Sequence, residues 1–268
     1  MLLALLRFVA SALLLFAAAL PVSHADDRID TDGPDFVESA ESLPKGRFQF
    51  ESGPAFERDK RNSVQRKSSS FPTLLRYGVA PTVEFRVESD IRSRSSETQI
   101  GSGTQAFEPI NSDVAVGLKW HTHDRNSERG TPSVSWIGHL QLPIGDHAIA
   151  RPGIRPSLRA VIGWDLPNGM TAGLMPGLKN DITEDGRHFV AGVLGATVGK
   201  WWTDDFRAFV EMSANQIARA RDGGTLMAWD VGAAYILSEN WQIGGRFAVA
   251  ANRNTPSTLL VISLAGRF

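Results

Sequence analysis

Polar and apolar residues alternate with a period of two in segment after segment of this chain, which restricts it to strands with two unlike faces. Twelve segments bounded by turn residues carry the pattern, starting at Gly46, Phe71, Thr82, Ser112, Pro132, Pro156, Gly169, His188, Phe206, Leu226, Trp241 and Thr258. Phe48 and Phe50 oppose Arg47, Gln49 and Glu51; Val83, Phe85 and Val87 oppose Glu84, Arg86 and Glu88; Leu118 and Trp120 oppose Lys119. Trp136 and Leu140 oppose His139, and Trp229, Val231 and Tyr235 oppose Asp230. Beyond Ala25 no run approaches the roughly 18 apolar residues of a spanning helix. Only a closed barrel can then cross a bilayer, because every backbone N–H and C=O in hydrocarbon needs a partner within the protein. The expected fold is all-β: a single antiparallel transmembrane β-barrel of about twelve strands, an even number of near-standard length. The alternative is a soluble periplasmic β protein, whose polar face would meet solvent instead of a lumen.

Both ends of the sequence fit export to a membrane. Residues 1–25 hold one arginine, Arg7, an apolar run from Phe8 to Leu20 and small residues at Ser23 and Ala25, the layout of a secretory signal peptide cleaved after Ala25. At the other end, Leu260, Ile262, Leu264, Gly266 and Phe268 share one face and Ser263, Ala265 and Arg267 the other. This resembles the closing strand of outer-membrane barrels, where a terminal aromatic such as Phe268 is the assembly signal read by the barrel-assembly machinery. The expected location is the outer membrane of a Gram-negative bacterium. The domain reading is a signal peptide over 1–25, a periplasmic leader or small plug over 26–45, and the barrel over 46–268.

Composition removes several function classes. The chain has no cysteine, so thiolate metal sites, thiol nucleophiles and disulfides are excluded, and its net charge of −1 gives no basic footprint for nucleic acid. None of His121, His123, His139, His147 or His188 has a serine two residues later, which argues against the His-x-Ser arrangement of barrel lipases. His121 and His123 share a strand face but lack a nearby third ligand, so they read as polar wall residues and not as a metal site. No cofactor and no enzymatic activity are expected. The expected partners are outer-membrane lipid, the assembly machinery and a small solute.

The inward faces are charged with both signs. Arg47, Glu51, Glu84, Arg86, Glu88, Lys119, Asp230 and Arg246 are the lumen-facing candidates, joined by Asp165, Arg207, Glu211 and Arg267. Such charges must pair, because an isolated buried charge is too costly. Residues 59–70, 92–111 and 144–155 read as long external loops, opposite shorter periplasmic turns. A narrow or gated channel is the expected function, with a closed structural or interaction barrel as the alternative.

Residues 31–53 carry a further pattern in Asp32, Pro34, Asp35, Phe36, Glu38 and Ser39, followed by Pro44, Gly46, Gln49, Glu51 and Gly53. This resembles the opening of a family of transporters named for the meta-pathway of phenol degradation, with Gly33 where those proteins usually carry arginine. SDVAVGLKW from Ser112 and LQLPIGD from Leu140 resemble two further family stretches. The resemblance implies an outer-membrane barrel that passes small, often hydrophobic or aromatic compounds, and it brings no catalytic residues.

Overall fold

The computed structural model describes residues 28–268 apart from 62–63, 100–104, 111–112, 146–152 and 184, so the signal-peptide reading of residues 1–25 lies outside the described residues. Fourteen strand segments form one antiparallel sheet. They are β1 (Phe48–Ser52), β2 (Ala55–Arg61), β3 (Val64–Ala80), β4 (Val83–Gln99), β5 (Gln105–Ile110), β6 (Val114–His123) and β7 (Ser133–Leu142), then β8 (Arg155–Leu166), β9 (Met170–Ile182), β10 (His188–Trp201), β11 (Phe206–Ile217), β12 (Leu226–Ser238), β13 (Trp241–Ala250) and β14 (Thr258–Arg267).

Two pairs of segments are halves of single staves. Ser52 faces Leu264 and Thr73 while Ala55 faces Val261 and Ser70, so β1 and β2 keep one register across Gly53-Pro54. β5 and β6 likewise share a register against β4. The result is twelve staves, closed where β14 pairs with β1 and β2. At the seam the Phe48 N–H donates to the Phe268 carbonyl at 3.0 Å and the Phe268 N–H to the Phe48 carbonyl at 2.8 Å. The rings of Phe48, Phe50, Trp241 and Phe268 cluster with centroids 5.8–6.5 Å apart.

The two faces are the inverse of a soluble sheet. Trp120 is 56 % exposed, Trp229 56 %, Val231 54 %, Leu178 60 % and Val190 65 %, whereas Glu84, Arg86 and Lys119 are 0 % exposed and Asp230 2 %. A fold that turns large apolar side chains outward and charges inward is stable only in an apolar solvent. This rules out the soluble sandwich. Phe85, Trp136, Phe247, Leu260, Ile262 and Leu264 complete the outward apolar surface.

Most of the turns sort by length to the two ends, the nine-residue connection 124–132 at the short-turn end being the exception. Pro81-Thr82, the short helix Pro167–Gly169, residues 202–205 and Glu239-Asn240 lie at one end; residues 218–225 and 251–257 lie at the other, where β7 ends and β8 begins and where β9 ends and β10 begins. Short turns mark the periplasmic end of such barrels. The expectation of external loops at 59–70 and 92–111 needs correcting. Most of these residues extend β2, β3, β4 and β5 into hairpins above the barrel, with Arg58 facing Lys67 and Ser96 facing Phe107. Residues 59–70 and 92–105 are almost wholly polar, so hydrophobic alternation does not mark them.

An arginine at mid-height on the outer face tests the facing directly. Val231→Arg should lower unfolding stability in vesicles by roughly 2–4 kcal/mol, measured by urea titration. An unchanged midpoint would contradict the assignment.

Candidate functional site

Residues 28–45 run inside the barrel. Their partners come from β1, β3, β4, β6, β7, β8, β11 and β13, and a segment bonded to staves all around a closed cylinder lies within it. The path starts at the short-turn end, where the Ile29 N–H donates to the Glu239 carbonyl at 2.8 Å, and it returns there with Gly46 N–H on Gly78 O at 2.7 Å. We call it the inner segment.

Its charge centre is Asp32, whose side chain is 3 % exposed. Lys119 Nζ lies 2.7 Å from Oδ1, Arg86 Nη1 2.5 Å from Oδ2 and Arg76 Nε 3.5 Å from Oδ2. Burial alone would raise the Asp32 carboxyl, but Arg76, Lys119 and Arg86 hold it well below the usual carboxylate range. Glu84 completes a compensated cluster, 2.9 Å from Arg76, 3.0 Å from Arg86 and 4.0 Å from Lys119. Such a group is costly to bury, and its geometry offsets the cost because each charge meets several partners.

Wall carboxylates also bind the segment's backbone. Glu51 accepts from the N–H groups of Asp32 and Gly33 at 2.9–3.1 Å, Glu211 from those of Phe36 and Val37 at 2.7–2.8 Å, and Glu84 from that of Leu43 at 2.7 Å. The segment's own acids reach outward: Asp35 to Arg207 at 2.8 Å, Glu38 to Arg86 and Arg159 at 2.7 Å, and Glu41 to Arg125 at 2.9 Å. Ser39 turns the chain, its N–H on Asp32 Oδ1 and its hydroxyl on Asp30. Across the lumen, Phe36, Val37 and Ala40 pack on Ile137, Val161 and Met175 of β7, β8 and β9. Gly195 of β10 makes room there, since a Cβ at that position would sit 2.6 Å from the Val37 side chain.

Of the lumen-facing candidates, Glu51, Glu84, Arg86, Glu88 and Lys119 gather around the inner segment, while Asp230 and Arg246 lie beyond Glu211, with Arg246 Nη1 3.6 Å from Glu211 and 3.8 Å from Asp230. Arg47 sits at the short-turn rim, bonded through its backbone to Pro44 and Gly78. Sequence reasoning missed Arg76, the most connected cation, although its parity against Leu75 and Tyr77 marks it as inward. It also missed Arg155, paired with Asp113, whereas His139, placed on the polar face opposite Trp136, lies 3.2 Å from Glu88.

His121 meets Ser135 from the adjacent stave at 3.3 Å and Asp124 at 2.8 Å, a Ser-His-Asp grouping that a single-strand motif search does not see. Its geometry does not suit nucleophilic catalysis. His121 Nδ1 lies 2.9 Å from the Ala40 carbonyl, an acceptor that requires N–H at that nitrogen, so Nδ1 has no lone pair for the serine proton. Ser135 is fully buried and donates to the same carbonyl.

The inner segment divides the lumen into two chambers. One of about 440 Å³ faces the short-turn end beside Trp164, Trp201 and Asp204; the other, about 910 Å³, faces the loop end beside Asp90, Asp113 and Arg155. Gly33, Asp35 and Glu38 line both, which makes the segment the wall between them. The outer chamber reaches the barrel wall at Gly53, Pro72 and Ile262. Here the sheet is thinly bonded. Gly53 N–H donates to Pro72 O at 3.4 Å and Ile262 N–H to Pro54 O at 3.0 Å, but neither proline has an N–H to return the bond. A Cβ at Gly53 would lie 2.0 Å from the Ile262 carbonyl oxygen, so this close approach requires glycine.

The barrel is similar to an outer membrane channel from Pseudomonas putida F1, with 12 % identity, a TM-score of 0.59, and coverage of 92 % of this chain and 100 % of that one. It is also similar to the β domain of the Bordetella autotransporter Brka, at 10 % identity and a TM-score of 0.50, covering 84 % of this chain and 100 % of that one. No curated protein matches at the sequence level. The model of the family described as "Putative MetA-pathway of phenol degradation" matches residues 31–268.

Removing the central charge should free the segment. Asp32→Asn is expected to cost about 3–5 kcal/mol and to make residues 28–45 accessible to protease in folded barrels that still migrate as the compact form on unheated gels. Continued protection would show that Asp32 does not hold the segment.

Proposed function

Because this chain belongs to the family of the "Putative MetA-pathway of phenol degradation", we propose that it is an outer-membrane channel for small hydrophobic or aromatic molecules, gated by its inner segment. The observation that carries the reading is the division of the lumen into chambers of about 910 and 440 Å³ by a segment held through ion pairs. A space of the larger volume accommodates a small organic solute. Phe36, Leu74 and Val261 give it apolar surface beside the charged groups. A solute of this class partitions into lipid, and the thinly bonded wall at Pro54 and Pro72 offers it a side route between the outer chamber and the bilayer. The channel from Pseudomonas putida F1 supports the barrel architecture of this reading.

The reading assigns no catalytic step to the chain. It includes export through residues 1–25 and assembly through the C-terminal strand. Pairing of Phe268 with Phe48 at the closing seam supports the second.

Restoring N–H groups to the thin wall separates side passage from axial passage. Pro54→Val with Pro72→Val should stabilise the barrel and reduce uptake of a labelled monoaromatic compound into proteoliposomes severalfold, with ion conductance unchanged. Unaltered uptake would contradict the side route, and uptake no faster than in protein-free vesicles would favour a closed structural barrel.

A further inference from the structure

Above the apolar band, the hairpin of β2 and β3 carries a column of cations with no matching acids. Phe56, Phe71 and Leu260 are 49 %, 42 % and 41 % exposed and mark the upper edge of the lipid-facing surface. Two residues further along β2, about 7 Å up the strand, Arg58 lies on the same outer face, directly opposite Lys67 on β3 and Thr258 on β14. Lys60 is next on that face, opposite Gln65. Arg58, Lys60 and Lys67 are all exposed. The acids of β2 project the other way: Glu57 and Asp59 alternate to the inner face, where Asp59 opposes Arg66 and ion-pairs with Arg61 at 2.9 Å.

The inner face of the extension is thus charge-compensated and its outer face is not. Among the described residues no carboxylate pairs with Arg58, Lys60 or Lys67, and their outward neighbours Phe56, Gln65, Ser69 and Thr258 carry none. Like charges directly opposite across a ladder repel. A bridging anion would turn this repulsion into attraction at a level where hydrocarbon ends and headgroups begin. We propose that Arg58, Lys60 and Lys67 bind the phosphates of an outer-leaflet lipid, fixing the extension against the membrane surface. The source of the phosphate is lipid because Phe56 and Phe71 lie directly below the cations and offer contact to acyl chains that a free ion lacks. This surface is independent of the lumen and of any solute the channel passes.

The test uses the refolded full chain in a zwitterionic detergent, with lipid retention read by native mass spectrometry. Diphosphorylated lipid A, its dephosphorylated form and inorganic phosphate are the three probes. The diphosphorylated lipid should be retained, and Arg58→Gln with Lys60→Gln and Lys67→Gln should weaken retention roughly tenfold or more without changing the heat-modifiable gel shift. Lys67→Gln alone should give a smaller loss in the same direction. Equal retention by the triple variant, or of the dephosphorylated lipid by the unaltered chain, would overturn the proposal. Displacement of the lipid by millimolar inorganic phosphate would overturn the assignment to lipid.

Discussion

The pairing of one carboxylate with three cations governs the interior. Asp32 enters on the inner segment, whereas Arg76, Arg86 and Lys119 come from β3, β4 and β6, so the contact joins three adjacent staves to a segment that belongs to none. Without it the three cations would be met only by the wall's own Glu51, Glu84 and Glu88, and Lys119 only by Glu84 at 4.0 Å. With it the positive charge is spread over Asp32, Glu38, Glu51 and Glu84. The wall and the segment are each incomplete without the other, a common device for making a buried polar network specify one arrangement.

The opposite side of the lumen adds apolar packing to its own charged contacts from Arg159, Arg207 and Glu211. Phe36, Val37 and Ala40 lie on Ile137, Val161 and Met175, and apolar burial is non-directional where ion pairs are geometric. The segment is therefore fixed in register by charge and seated by shape. This division suits a gate. On the proposed reading, loss of the Asp32 contacts releases the segment's position in the lumen. The outer chamber borders both the inner segment and the thin part of the wall at Gly53, so a solute that enters there meets the segment below and a weakly bonded seam beside it.

Parity makes the barrel legible in the sequence, because a strand of period two fixes both faces at once. Lys119 against Trp120 and Asp230 against Trp229 are plain examples. Arg76 was hidden by Leu74 and Leu75, two adjacent apolar residues that blur the alternation in β3. The upper hairpins were illegible for a physical reason: a run of small polar residues such as Ser68, Ser69 and Ser70 has no unlike faces to signal facing. The meeting of His121 and Ser135 depends on the register between two staves, which no single-strand motif contains. The acids at Asp32, Asp35 and Glu38 stand out as a pattern, but their partners lie between 44 and 172 positions away in the sequence.

The most direct test of the account is single-channel conductance of the refolded chain in a planar bilayer, compared with a variant carrying Asp32→Ala and Glu211→Ala. The account predicts small or infrequent currents through the unaltered chain and larger, steady currents once the segment is unpinned. Equal conductance in the two proteins, with both inserted and folded, would show that the inner segment does not control passage.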